Sequence, residues 1–119
     1  MDLTTNDPAQ IRAYLTQNKA PSDYSLPAAL QKAAFTGCAV EGWQNVRVSM
    51  ICFRTGRPLP PNQSSDLWLF VVDRAALKDA PAALQVAVAN RLLTATWTQG
   101  DKVYLLGIEG EEPDIKQYL

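Results

Sequence analysis

Between Cys38 and Phe53 the chain alternates with a period of two. Cys38, Val40 and Gly42 interleave with Ala39, Glu41 and Trp43. After Gln44-Asn45, the residues Val46, Val48, Met50 and Cys52 interleave with Arg47, Ser49, Ile51 and Phe53. Two such runs around a polar turn predict a β-hairpin. Placing Val40, Val48 and Met50 on one face requires an even register sum, and Asn45 is the turn residue best suited to positive φ. The expected connection is a three-residue loop, Trp43-Gln44-Asn45, with Gly42 opposite Val46 and Cys38 opposite Met50.

Leu67–Val72 is apolar at every position, which predicts a central strand covered on both faces. Thr94–Thr98 and Lys102–Ile108 flank Gln99-Gly100-Asp101 and predict a second hairpin. Between the third strand and this hairpin, Asp79-Ala80-Pro81 predicts a helix start, with Leu84, Val88 and Leu92 along one stripe. At the other end, Asp7-Pro8-Ala9-Gln10 combines a capping side chain with proline at the first helical position. Ile11, Tyr14 and Leu15 follow at helical spacing, and Asn18 and Pro21 end the helix. A second start at Ser25-Leu26-Pro27 carries Leu30 and Ala34 on one stripe and stops at Gly37. Pro113 opens a short last helix in which Ile115, Tyr118 and Leu119 share a face. Arg54–Ser65 holds Pro58, Pro60 and Pro61 and reads as a loop.

The expected fold is α+β, in the order ααβββαββα. Short turns make its five-stranded sheet mostly antiparallel, with helices packed against it. At 119 residues the chain has the length of one domain, 1–119. It divides into an N-terminal helix and linker, 1–20, and a sheet core, 37–109. Hydrophobic residues make up 47% and charged residues 19%, enough apolar material for a packed core. No charged segment followed by an apolar run opens the sequence, and no run approaches the ~20 apolar residues of a membrane span.

Charge and chemistry then narrow the function. Eleven basic and 12 acidic residues give a net charge of −1, without the basic stripe that nucleic-acid binding needs. There is no histidine, so the imidazole base of serine and cysteine hydrolases and mixed Cys/His zinc sites are excluded. Two cysteines cannot build a four-thiolate site. Asp66 and Asp73 bracket the central strand at opposite ends, which rules out joint acid–base work. No catalytic, cofactor-binding or metal-ligating residue is expected, and no cofactor. Carboxylate, lysine or tyrosine chemistry is the remaining enzymatic reading.

In the expected register Cys38 and Cys52 are same-face diagonal neighbours, roughly 7–8 Å apart. A shift of two residues would oppose them and permit a disulfide. They are read as paired core thiols or as that bond. Trp43, Trp68 and Trp97 are candidates for a pocket lining. Trp68 and Trp97 sit in strand patterns that predict core, and Trp43 at the turn is the exposed candidate. Arg57-Pro58-Leu59-Pro60-Pro61 matches a polyproline pattern read by SH3 domains, and it equally makes a rigid connection. Arg54 and Arg57 join Trp43 as the candidate interaction surface. Asn62-Gln63-Ser64 is a glycosylation sequon, meaningful only in a eukaryotic secretory setting.

Several phrases, taken together, carry a resemblance: Ala20-Pro21 and Leu26-Pro27 before Gly37-Cys38; Val48-Ser49-Met50-Ile51-Cys52-Phe53; Leu69-Phe70-Val71-Val72-Asp73-Arg74; and Ala95-Thr96-Trp97 before Gly100-Asp101-Lys102-Val103-Tyr104-Leu105-Leu106. From about Ala20 onward the chain resembles the extracytoplasmic domain of bacterial membrane-anchored anti-sigma-factor-like proteins. The resemblance implies a sensor or partner-binding domain on the periplasmic side of the inner membrane. It implies a transmembrane helix encoded upstream of Met1, with sigma-factor binding outside this chain, and it transfers no functional residue. The expected partner is a protein or a small ligand. A free-standing cytoplasmic interaction or scaffold domain is the alternative.

Overall fold

The computed structural model describes residues 1–43, 45–76, 85–89, 92–110 and 112–119. Asp7 caps the first helix: its Oδ1 accepts the Ala9 N–H at 2.9 Å, and Pro8 occupies the first helical position. This helix, α1 (Pro8–Gln17), buries Ile11 and Leu15 completely and ends at Asn18, followed by Lys19 at φ 59°. The second predicted helix shrinks to a single turn, α2 (Ala28–Gln31). Pro27 brings no side-chain cap, and Ala34 is already paired with Arg54 in a strand. Tertiary pairing overrides the weak helical stripe there.

Preceding α1 is a two-residue edge strand, β1 (Leu3–Thr4), which the sequence pattern did not predict. The remaining strands are β2 (Ala34–Trp43), β3 (Val46–Arg54), β4 (Leu67–Asp73), β5 (Gln85–Ala89), β6 (Leu92–Gln99) and β7 (Lys102–Ile108). They form one antiparallel sheet in the order β1-β2-β3-β4-β7-β6-β5. The α+β class and antiparallel sheet thus hold, but the count of five strands does not. Gln85–Ala89 is a strand where a helix was expected. Val88 and Ala89 pair with Leu93 and Leu92. In Gln-Val-Ala-Val-Ala the β-branched residues recur every second position, and β6 offers an edge to pair with. Asp79–Leu84, the predicted start of that helix, lies outside the described residues. The last helix, α3 (Glu112–Lys116), carries fully buried Ile115.

β4 lies in the middle of the sheet, as its uninterrupted apolar run predicts. Leu67, Leu69 and Val71 are fully buried and join Ile51, Phe53, Tyr104, Leu106 and Ile108 in one core with α1, α2 and α3 residues Ile11, Leu15, Leu30 and Ile115. Full burial of each such aliphatic side chain contributes about 1.5–3 kcal/mol. The opposite face holds a smaller cluster, Val48, Val72 and Val103, with Val46 and Phe70 against it.

The first hairpin departs from its predicted register. Trp43 pairs with Val46, leaving a two-residue turn in which Asn45 takes φ 66°. Positive φ at Asn45 was expected, but a two-residue turn matches strand twist better than the three-residue loop. The register sum becomes odd, so Cys38 opposes Ile51 and Cys52 opposes Gly37. Opposed residues share a face and adjacent ones do not, so the two cysteines point to opposite sides of the sheet. Both are buried free thiols, neither bonded nor paired side by side. The even-sum argument failed because Val40 need not share a face with Val48. Val40 opposes Ser49, and Ser49 is fully buried.

A bulge between Phe35 and Gly37 restores agreement at the far end of the hairpin. The extra residue there lets Phe35, opposite Phe53, and Cys38, opposite Ile51, both face the main core. Gly37 takes φ 154°, and a Cβ built on it would fall 2.1 Å from the Leu3 carbonyl oxygen. Only glycine lets β1 approach this closely. Gly37→Ala should cost about 2–4 kcal/mol through strain and backbone collision. Gly42→Ala, with nothing within 4 Å of its Cβ, should change stability by less than about 0.5 kcal/mol. Urea unfolding of the two variants checks the contrast.

Burial pushes the Cys38 thiol, and likewise the Cys52 thiol, up to about 11. Both should resist a thiol reagent in the folded protein and react fully once urea unfolds it. Fewer than two reactive thiols in the unfolded, unreduced protein would contradict the register.

Candidate functional site

Residues 20–27, with Pro21 and Pro27 near its ends, form a strap between α1 and α2. It is held across the helix-covered face of the sheet by side chains from three elements. From α1, Arg12 donates Nη1 to Ser22 O at 2.6 Å and Nη2 to Tyr24 O at 3.1 Å, and its guanidinium lies 4.0 Å over the Tyr24 ring. From β3, buried Ser49 donates its hydroxyl to Pro21 O. From β7, the Tyr104 hydroxyl accepts the Ser25 N–H at 2.9 Å, and Lys102 bonds Asp23 Oδ1 at 3.0 Å. Tyr104 is positioned in turn by Trp97 of β6, stacked at 5.3 Å and 9°.

Lys102 begins β7 opposite Asp73 and is 4% exposed. Its Nζ also bonds Asp73 at 2.9 Å and Asp101 at 3.1 Å. Burial alone would push its pKa down, but the hydrogen bonds to Asp73, Asp23 and Asp101 outweigh this and hold it raised. The Lys102 hydrogen bond holds Asp23 below the usual carboxylate range. A raised lysine stabilises the fold fully below its ordinary pKa and loses this as pH rises through the folded value. A lowered carboxylate stabilises above its ordinary value, 3.8 for Asp23, and loses this as pH falls through the folded one. The Lys102–Asp23 attachment is therefore in place across the neutral range and weakens in acid.

Two concavities flank the strap. One, of about 500 Å³, is lined by Pro8, Arg12, Tyr24, Ser25, Leu26, Gln31 and Phe35. The second, of about 400 Å³, is lined by Ser25, Leu26, Pro27, Trp97, Gln99 and Leu119. Leu26 and Ser25 contribute to both and form the wall between them. Tyr24 is 3% exposed, and its phenol oxygen is enclosed without a hydrogen-bond partner. Among the described residues no cluster of three or more His, Cys, Asp or Glu could hold a metal ion.

The candidate surface of Trp43, Arg54 and Arg57 is not assembled. Trp43 and Arg54 close opposite ends of the first hairpin, Trp43 against Val46 and Arg54 against Ala34. Eight residue steps of strand separate Val46 from Arg54, roughly 27 Å. The Trp43 side chain lies outside the described residues, and Arg54 is exposed. Arg57 is committed within the chain, donating to Glu109 O at 3.0 Å and pairing with Asp114 at 2.7 Å. Its proline-rich loop is thereby fastened to α3. Asp66 and Asp73 do separate: Asp66 accepts from the backbone N–H and hydroxyl of Thr55, while Asp73 holds Lys102.

The strand pattern predicted Trp97 as core; it packs against the core and also lines the second concavity. Arg12, Tyr24, Leu26 and Phe35 were not legible as a site, because their meeting depends on where the strap lies. Lys102→Met should cost about 1–2 kcal/mol near neutrality, a low figure because its three carboxylates are largely solvated. The difference from the parent protein should shrink at pH about 2, well below the ordinary Asp23 value of 3.8. Urea unfolding at the two pH values measures both. No family model, curated protein or solved structure matches the chain.

Proposed function

We propose that this chain is a non-enzymatic sensor or partner-binding domain whose binding site is the strap and the concavities on either side of it. The observation that carries the reading is the division of labour among its polar side chains. Arg12, Ser49, Lys102 and Tyr104 spend their hydrogen bonds holding the strap's backbone and Asp23. The result is a pre-organised ledge with apolar Leu26 and Trp97 beside it, a geometry suited to recognition. The sequence resemblance supports assigning the domain to the extracytoplasmic side of a membrane-anchored, anti-sigma-factor-like regulator. No helix among the described residues is long and apolar enough to cross a membrane. On this reading the anchor lies outside the chain, and the partner is a protein or a small ligand.

A free-standing cytoplasmic interaction domain is the second reading. The observation that favours it is the pair of buried, unbonded thiols, which suits a reducing compartment.

Alkaline phosphatase fused after Leu119 of the full-length gene product separates the two, because the reporter is active only after export. Activity is expected. An inactive, stably produced fusion would replace the first reading by the second. The site itself is checked by titrating the labelled protein with a fragment library in ¹H–¹⁵N NMR. Saturable shifts should gather on Leu26, Phe35 and the Trp97 indole N–H. Shifts confined to the Val48–Phe70–Val103 face would overturn the strap as the binding site.

A further inference from the structure

The two concavities differ in chemistry. The one against Trp97 has no charged side chain in its wall, whereas the one against α1 has a single charge, the Arg12 guanidinium. Arginine carries five N–H donors. Arg12 uses two of its nitrogens on Ser22 O and Tyr24 O, and it forms no ion pair with a carboxylate of the described residues. Those two bonds and the Tyr24 ring beneath it hold the guanidinium plane in place. An arginine fixed in this way gives up little rotamer freedom when it binds an anion.

Tyr24 lays its ring under the cation, with its own hydroxyl closed off from the concavity. Gln31 donates one Nε2 hydrogen to Leu26 O at 2.9 Å, which leaves its second N–H and its carbonyl oxygen to face a ligand. Pro8, Leu26 and Phe35 complete the wall with apolar surface. The volume of about 500 Å³ lies in the range of small-molecule sites.

We propose that this concavity binds a small organic carboxylate with an apolar body. The head lies on Arg12, and the body lies against Leu26 and Phe35. The inference rests on the reading of the strap as a ligand site and names the ligand class for one side of it.

Sodium benzoate is the probe, with benzamide as its uncharged counterpart, each titrated into the ¹⁵N-labelled full chain. Benzoate should give saturable shifts at Arg12, Tyr24, Leu26, Gln31 and Phe35, with Kd in the millimolar range expected of an open site. Benzamide should bind at least about tenfold more weakly, since charge-assisted hydrogen bonds are the stronger ones. Arg12→Lys keeps the charge but loses the planar fork and should weaken benzoate by about tenfold or more. Because Arg12 also holds the strap, Gln31→Glu, at an exposed position of the same wall, serves as the second variant. Its added negative charge should weaken benzoate about 3- to 10-fold while the unfolding midpoint stays close to that of the parent protein.

Benzoate without saturable shifts up to about 20 mM, or benzamide binding equally well, overturns the proposal. Unchanged benzoate affinity in Gln31→Glu overturns the placement of the carboxylate in this concavity. If neutral fragments still bind at Leu26 and Trp97, only the carboxylate inference fails. If nothing binds along the strap, the reading beneath it fails too.

Discussion

The ammonium of Lys102 is almost sealed from water and still charged. Burial would favour the neutral amine, and three carboxylates reverse that preference. They come from separate places: Asp73 from the end of β4, Asp101 from the turn before β7, and Asp23 from the strap. The first two are brought to Lys102 by local hairpin geometry and direct strand pairing. Asp23 is brought by nothing local, so the cluster joins the strap to the sheet. The carboxylates themselves are well exposed, which keeps the cost of assembling the charges low. Much of what the structure offers as a site follows from that attachment, since both concavities take a wall from the strap.

The strap also explains why polar side chains occur where the core should be apolar. Ser49 sits on the helix-covered face of β3 among fully buried neighbours. Its hydroxyl satisfies the Pro21 carbonyl, which would otherwise be buried without a partner. Tyr104 projects from β7 through the same layer to accept the Ser25 N–H. Each pairs a backbone group of an irregular segment that cannot pair with itself. Tyr24 breaks this pattern. It is buried against Arg12, yet its own oxygen is unpaired. Among the described residues, a hydroxyl without a partner beside an arginine without a carboxylate partner sets one side of the strap apart from the other.

Registers and bulges decide the rest. One residue in the hairpin turn moves Cys52 to the face opposite Cys38, and one extra residue near Gly37 brings Phe35 back to the core side. These single-residue events are large in effect because side chains alternate with a period of two. They also fix the chemistry of the cysteines. Each thiol is separated from the other by the sheet itself and kept protonated by burial, so neither is activated as a nucleophile.

The sequence by itself determined the elements whose cause is local. The Asp7-Pro8 start of α1, the strands of both hairpins and the central position of Leu67–Val72 follow from capping chemistry and hydrophobic period. Zero histidines excluded imidazole chemistry before any fold was known. Tertiary structure decided whatever depends on a partner distant in sequence. Ala34 left its helical stripe because Arg54 was there to pair with it, and Gln85–Ala89 became a strand because β6 presented an edge. Ser49 is buried with its hydroxyl paired because Pro21 lies above it. Arg57 looked like part of an interaction surface until Asp114 came within reach. The candidate site was the least legible part. Arg12 and Tyr24 are separated by an irregular segment without hydrophobic period, and only its anchoring to Lys102, Ser49 and Tyr104 brings them together.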